Sequence, residues 1–195
     1  MTVQLWIAFI TYIVATAYTP GPNNIIALNT TTKYGFRKSN SLRFGIGVGL
    51  AVIMVLTNAL AFTIGSYIPE IINYLKYLGA AYILYLAYKL LLSKPFTSDE
   101  TKIPKFWTGF FLQFMNVKVI LYGITAVSSF FLPSYSSIQD LLWFCAILIV
   151  NSWIAIWIWG VLGYSFRNFI NKYYKVFNII MGLVLVESAI SIIFL

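Results

Sequence analysis

Apolar residues run through this chain in blocks about the length of a bilayer crossing, separated by short polar joints. A crossing needs roughly 20 apolar residues to traverse about 30 Å of hydrocarbon. Read by that length, the pattern predicts six spans, over residues 5–28, 44–67, 70–92, 108–132, 138–164 and 174–195. The one sizeable polar joint contains Ser93-Lys94-Pro95-Phe96-Thr97-Ser98-Asp99-Glu100. It divides a single transmembrane domain, 1–195, into a three-span half at 1–92, a linker at 93–107 and a second half at 108–195. The fold class expected is therefore an all-α membrane protein.

Composition agrees, since the 195 residues are 61% hydrophobic and only 9% charged, against about 25% charged in soluble domains. The net charge of +8 is read as a topology signal and not as a nucleic-acid footprint. Lys33, Arg37, Lys38 and Arg43 fall in the first joint, Lys89, Lys94, Lys102 and Lys105 in the third, and Arg167, Lys172 and Lys175 in the fifth. Only Lys76 falls on the other side. The positive-inside rule then puts the odd joints in the cytoplasm and both termini outside. No Lys or Arg precedes Lys33, so the first apolar block lacks the basic start of a cleaved signal peptide and is expected to remain as a span.

With an odd number of spans in each half, the second half enters from the opposite face, the arrangement of inverted-topology repeats. Leu78-Gly79-Ala80-Ala81 in span three can be laid against Met181-Gly182-Leu183-Val184 in span six.

The first span contains its own interruption, Thr19-Pro20-Gly21-Pro22-Asn23-Asn24. Pro20 cannot donate to the carbonyl of Thr16, nor Pro22 to that of Tyr18, and both carbonyls need other partners at mid-depth. The first helix is thus expected to break at Pro20–Pro22. Pro22 reads as the first residue of a new half-helix, whose bare NH groups suit an anion. Asn23 and Asn24 point about 100° apart on a helix and cannot both idle against lipid.

Lys118 is a further anomaly. Counting the span from Val119 to Leu132 would leave about 21 Å, too short to cross, so Lys118 lies within the bilayer and is expected to face protein or water. Glu187, inside Val184-Leu185-Val186-Glu187-Ser188-Ala189, is in the same position. Its readings are a neutral acid, a partner for Lys118, a site for a substrate ammonium, or a proton-coupling group. Gln113 and Asn116 share one helical face, and Asn58 and Asn151 add polar groups at depth. Gly45 and Gly49 make one GxxxG spacing, a signal for close helix packing; Trp153, Trp157 and Gly160 form a similar stripe.

Several chemistries are excluded. There is no histidine and one cysteine, Cys145, which removes histidine-based metal sites, Ser-His and Cys-His nucleophiles and intramolecular disulfides. Five carboxylates, mostly in joints, give poor support to a paired-carboxylate hydrolase. No enzyme, metal or cofactor is expected.

Pro20-Gly21-Pro22-Asn23-Asn24, the Gly35 turn and the glycine-rich start of span two resemble the signature of the LysE/RhtB superfamily of bacterial amino-acid exporters. So do Gly79-Ala80-Ala81-Tyr82-Ile83-Leu84-Tyr85-Leu86 and Gly109-Phe110-Phe111-Leu112-Gln113-Phe114-Met115-Asn116-Val117-Lys118. Many relatives carry Asn-Pro-Lys where this chain has Asn116-Val117-Lys118, which leaves open whether span four breaks or runs straight. A straight helix would send Asn116 and Lys118 about 200° apart. The Asn-Val-Lys version, with Ile120-Leu121-Tyr122-Gly123 behind it, is similar to the branch exporting cysteine and O-acetylserine.

The resemblance implies a proton-driven inner-membrane exporter of small neutral amino acids. The expected substrate site comprises Pro20, Gly21, Pro22, Asn23, Asn24, Gln113, Asn116 and Lys118, with Glu187 as coupling candidate. The substrate carboxylate would meet the half-helix after Pro22, while its ammonium would meet Glu187 or the carbonyls near Thr16 and Tyr18. The partners expected are the amino acid and membrane lipid, without nucleic acid; a homo-oligomer is left open. The alternatives are a channel or a non-transporting membrane assembly subunit.

Overall fold

The computed structural model describes the backbone of residues 1–63, 68–92 and 105–193; side chains are described outside 64–76, 78–79, 93–104 and 191–195. The run Ser93–Glu100, Lys94 and Lys102 of the central joint, the Lys76 side chain, Leu78-Gly79 of the proposed repeat match and the end of span six lie outside the described residues.

All regular structure among the described residues is helical. In chain order the helices are α1 (Val3–Tyr18), α2 (Pro22–Tyr34), α3 (Asn40–Thr63), α4 (Ile68–Leu91), α5 (Phe106–Leu112), α6 (Val117–Ala126), α7 (Ile138–Ser165), α8 (Arg167–Lys172) and α9 (Tyr174–Ile193). A 3₁₀ turn, Gln113–Met115, separates α5 from α6, and a π-turn, Val127–Phe131, prolongs α6. Helices α3 and α7 are each long and apolar enough to cross a membrane. So are α1 with α2, bent by 43°, and α5 with α6, bent by 62°, if each pair is taken as one span.

Sequence signals account for the ends. Thr2 caps α1 by accepting from Leu5 N at 3.3 Å, and Ser137 caps α7 by accepting from Asp140 N at 3.1 Å. Asp140 in that first turn also favours the positive end of the helix dipole. Helix α2 stops at Gly35, whose φ of 82° is a conformation that glycine adopts without a Cβ clash.

Two packing clusters hold the bundle. The larger joins Phe9, Ile46, Met54, Phe131, Phe144 and Leu148 from α1, α3, α7 and the turn after α6; Phe9 stacks on Phe144 with ring centroids 4.4 Å apart. Cys145 is buried in this cluster as a small packing residue. The smaller joins Ile25, Ile83, Ala87, Val117, Leu121 and Leu185, where α4 lies along α9. The Gly45–Gly49 spacing serves close packing: a Cβ on Gly45 would run into the backbone of Phe106, and one on Gly49 would lie 2.6 Å from the carbonyl of Phe110. Gly109 meets the Leu42 carbonyl from the facing side. Helix α5 therefore lies almost backbone to backbone on α3, which sets the height at which Gln113 enters the interior.

One topology charge is corrected. Arg43 is not a joint residue exposed to water but lies inside the first turn of α3 with 1% of its surface accessible. Its Nη1 donates to Thr31 Oγ1 at 2.6 Å and its Nη2 to Phe36 O at 2.8 Å and to Asn40 Oδ1. The guanidinium also faces the rings of Phe36 and Trp157, at 4.0 and 4.7 Å from their centroids. Charge counting treats every cation in a joint alike; around this one the neutral acceptors of Thr31, Phe36 and Asn40 and the ring faces of Phe36 and Trp157 replace water, an arrangement that only the folded chain assembles.

Candidate functional site

The interruption of the first span follows from its prolines. Helix α1 ends with Thr19 N donating to Ala15 O at 3.2 Å, and α2 restarts with Pro22 at its first position and Ile25 N donating to Gly21 O at 2.9 Å. Pro22 has no NH, so the NH groups of Asn23 and Asn24 are left without intrahelical acceptors.

The freed carbonyls of Thr16 and Tyr18 each already accept one bond from within the chain. Thr19 Oγ1 donates to Thr16 O at 3.1 Å, and Trp159 Nε1 donates to Tyr18 O at 3.2 Å. Asn24 Nδ2 donates to Ala17 O at 2.8 Å and to Thr19 O at 2.9 Å. The Asn24 amide thus caps the end of α1. A bare carbonyl in a nonpolar interior costs on the order of 1–3 kcal/mol, so the chain answers each break with its own donors.

Span four is also broken, although no proline lies between Gln113 and Lys118. Asn116, with φ −90° and ψ 86°, leaves the helical region, and α6 restarts at Val117. Asn116 O accepts from Val119 N at 3.0 Å and from Ile120 N at 3.3 Å, so the NH groups of Val117 and Lys118 point out of the new helix end unclaimed by it. The straight-helix alternative is thereby overturned. The cause is a set of side-chain bonds to the other break: Asn116 Nδ2 donates to Asn23 Oδ1 at 2.9 Å, and Gln113 Nε2 donates to Asn23 Oδ1 at 2.9 Å and to Gly109 O at 3.1 Å. Asn23 Nδ2 returns a bond to Gln113 Oε1 at 2.8 Å. Asparagine is a weak helix former because its amide competes for local and distant partners; here the distant ones win.

Two half-helix N-termini consequently meet beside one narrow cavity of about 40 Å³, lined by Gly21, Pro22, Asn23 and Asn24 from the first break and Asn116 and Lys118 from the second. Thr16, Tyr122 and Ser152 complete its polar wall. Asn116 is 1% exposed, and its Oδ1 has no donor among the described residues. Lys118 reaches across the gap, its Nζ donating to Thr19 Oγ1 at 3.0 Å and, at 3.5 Å, to Pro20 O, which also accepts from Ser188 Oγ at 3.3 Å. Gly21 leaves the space for that reach: a Cβ there would lie 3.0 Å from Lys118 Nζ.

On its other side Lys118 borders a wider cavity of about 290 Å³, lined also by Tyr12, Thr16, Thr19, Tyr122, Thr125, Glu187 and Ser188. Lys118, Thr16 and Tyr122 are common to both spaces. Glu187 and Lys118 both face the wider one. The structure thus brings together Pro20, Gly21, Pro22, Asn23, Asn24, Gln113, Asn116 and Lys118, with Glu187 at the edge. Asn23 and Gln113 spend their side-chain donors and acceptors on each other and on Asn116 and Gly109. Asn151 lines neither space, its Nδ2 donating to Ile13 O at 2.9 Å and, at 3.5 Å, to the Tyr122 hydroxyl that lines both. Thr19, Tyr12, Tyr122, Thr125 and Ser188 are not among the site residues expected from the sequence, because hydroxyls in apolar spans usually bond their own helix; the available signals are the adjacency of Thr19 to Pro20, of Ser188 to Glu187, and of Tyr122 to the Asn116-Val117-Lys118 run.

With this geometry in view, the chain compares closely with known transport proteins. Residues 14–194 match the family model described as LysE type translocator. The cysteine/O-acetylserine efflux protein of Salmonella typhimurium (strain LT2) is 43% identical over 198 residues, which cover 98% of this chain and 99% of that one. The protein of the same name from Escherichia coli O6:H1 (strain CFT073) is 39% identical over 197 residues, with the same coverage. No solved structure matches the chain. A family match over nearly all of its length, with relatives this similar from end to end, establishes that the chain belongs to the LysE type translocator family.

Proposed function

We propose that the protein is a secondary exporter of small neutral amino acids, with cysteine and O-acetylserine as substrates, residing in the bacterial inner membrane. The observation that carries this reading is the meeting of two half-helix N-termini around Lys118 and the unpaired Oδ1 of Asn116. Helix-end NH groups and the lysine ammonium favour a carboxylate; a buried acceptor without a donor favours an ammonium. A zwitterionic α-amino acid offers both on one carbon. The names of the relatives supply the two substrates.

In this mechanism the amino acid enters the site with its carboxylate toward Lys118 and the α2 and α6 ends and its ammonium toward Asn116. Its short side chain extends into the space between Tyr12, Tyr122 and Thr125. That cavity falls just below the ~300 Å³ at which sites for drug-sized molecules begin, a scale that suits a smaller solute. Asn23 and Gln113 act by holding the two breaks together. Six spans in two inverted three-span halves, residues 1–92 and 108–195 around the linker at 93–107, would pair broken α1/α2 with broken α5/α6, α3 with α7, and α4 with α9. With both termini outside, the wider cavity lies on the outer face and the Asn23–Gln113–Asn116 cluster closes the inner one. Rocking of one half against the other would open that cluster and bury the present cavity. Glu187 would couple a proton, since it lines the same cavity as Lys118.

The test is counterflow of labelled cysteine and O-acetylserine into proteoliposomes, against a panel of larger and charged amino acids. Saturable, trans-stimulated uptake lost in Lys118→Met and Asn116→Ala is the expected result. Unsaturable flux would make the protein a channel, and wild-type counterflow in both variants would remove the site.

A further inference from the structure

At the end of the bundle that carries the first joint, a surface groove of about 610 Å³ is lined by Tyr34, Gly35, Phe36, Arg37, Lys38, Val161 and Tyr164. Arg37 and Lys38 are exposed there. Arg167 flanks it, its guanidinium 5.6 Å from the centre of the Tyr164 ring. Of the carboxylates whose side chains are described, Asp140 and Glu187, neither lines this groove.

Val161 is shared with a second, apolar groove along α7, bounded by Ile149, Trp153, Ile154, Trp157, Ile158 and Val161 among others. From Ile149 to Leu162 that strip measures about 20 Å at helical rise. Behind the junction stands Arg43. Its guanidinium is packed between Phe36 and Trp157, one ring from each groove. Among the described residues its acceptors are the neutral Thr31, Phe36 and Asn40, and its Nε has none. A desolvated cation without a counter-ion projects its field through low-dielectric surroundings, and the Phe36 ring that this one faces lines the groove.

We propose that this paired groove is a binding site for an anionic glycerophospholipid, with the headgroup phosphate between Arg37 and Lys38 and an acyl chain along Trp153, Trp157 and Val161. Charge decides the headgroup: three cations face the pocket or stand behind it, and a zwitterionic lipid would bring its own ammonium into the same field. Continuity decides the rest, since a free phosphate would use the polar end and leave the 20 Å strip irrelevant. The site is remote from the two helix breaks, and it rests only on α7 facing the membrane.

The experiment is native mass spectrometry of the full-length protein released from detergent containing equal phosphatidylglycerol and phosphatidylcholine, with Arg37→Gln/Lys38→Gln compared with wild type. Each surface cation is worth about fivefold in affinity for an anionic lipid, so the double variant should lose phosphatidylglycerol by roughly 25-fold. Phosphatidylcholine retention should not change, and the charge-conserving Arg37→Lys/Lys38→Arg should bind as wild type does. Equal retention of the two lipids by wild type would overturn the proposal, as would unchanged phosphatidylglycerol binding by the neutral variant. Displacement of the lipid by millimolar inorganic phosphate would also overturn it, by showing a simple anion site.

Discussion

Asn23 and Gln113 hold each other in both directions: Asn23 Nδ2 donates to Gln113 Oε1 at 2.8 Å and Gln113 Nε2 donates to Asn23 Oδ1 at 2.9 Å. The residues are 90 positions apart, and the pair ties the break in the first span to the turn that opens the break in the fourth. Asn116 joins them as a second donor to Asn23 Oδ1. Asn23→Leu removes three bonds and leaves two buried amides short of partners, each worth on the order of 1–3 kcal/mol. The variant is expected to show a lower melting temperature in detergent and counterflow reduced by at least about tenfold, the equivalent of 1.4 kcal/mol. Wild-type melting and flux would refute the clasp.

Gly21 and Lys118 make a gentler test of the same crossing. The methyl of Gly21→Ala would sit 3.0 Å from Lys118 Nζ and 3.1 Å from its Cδ, contacts that the end of a flexible side chain can relieve. Folding should survive and the lysine should be displaced. The expected outcome is normal yield with the KM for cysteine raised severalfold and kcat little changed, measured by initial rates of export from loaded vesicles. A change in kcat alone would place Lys118 outside the binding step.

Asn24 is expected to behave as a structural cap. Asn24→Asp keeps the shape but replaces the donor to Ala17 O and Thr19 O with an acceptor, setting a carboxylate against two carbonyls. Folded yield by size-exclusion chromatography should collapse in this variant and fall less in Asn24→Ala, which leaves the carbonyls unpaired without adding repulsion. Similar yields for the two would separate Asn24 from the end of α1.

Glu187→Gln separates coupling from binding. If the carboxylate carries the proton, exchange of labelled cysteine at equal pH on both sides should continue in this variant. A pH gradient should then no longer drive accumulation. Retention of gradient-driven transport at wild-type rates would remove Glu187 from that role.

The break at Pro20–Pro22 was legible in the sequence because proline acts on its own backbone: it lacks an NH wherever the rest of the chain lies. The break at Asn116 was not, because nothing between Gln113 and Lys118 forbids a helix. It exists because Asn23, far away in the sequence, accepts both amides. Arg43 was misassigned for a related reason, since a cation near the end of an apolar block looks the same whether it meets water or the faces of Phe36 and Trp157. The Thr16 and Tyr18 carbonyls were identified correctly as deprived of their helical donors, but their new partners, Thr19 and Trp159, belong to side-chain placement.

What the chain determined by composition and order alone is its apolar blocks, the first helix break, and the presence of a lysine and a glutamate too deep in those blocks to be idle. Each depends on local chemistry: hydrocarbon length, a missing donor, the cost of an ion out of water. Only the tertiary structure decided that the fourth span is interrupted too, that both interruptions meet at Lys118, and that Asn116 keeps one acceptor unspent. Those are outcomes of competition among distant partners for a limited set of hydrogen bonds, and that competition is resolved only when the helices pack.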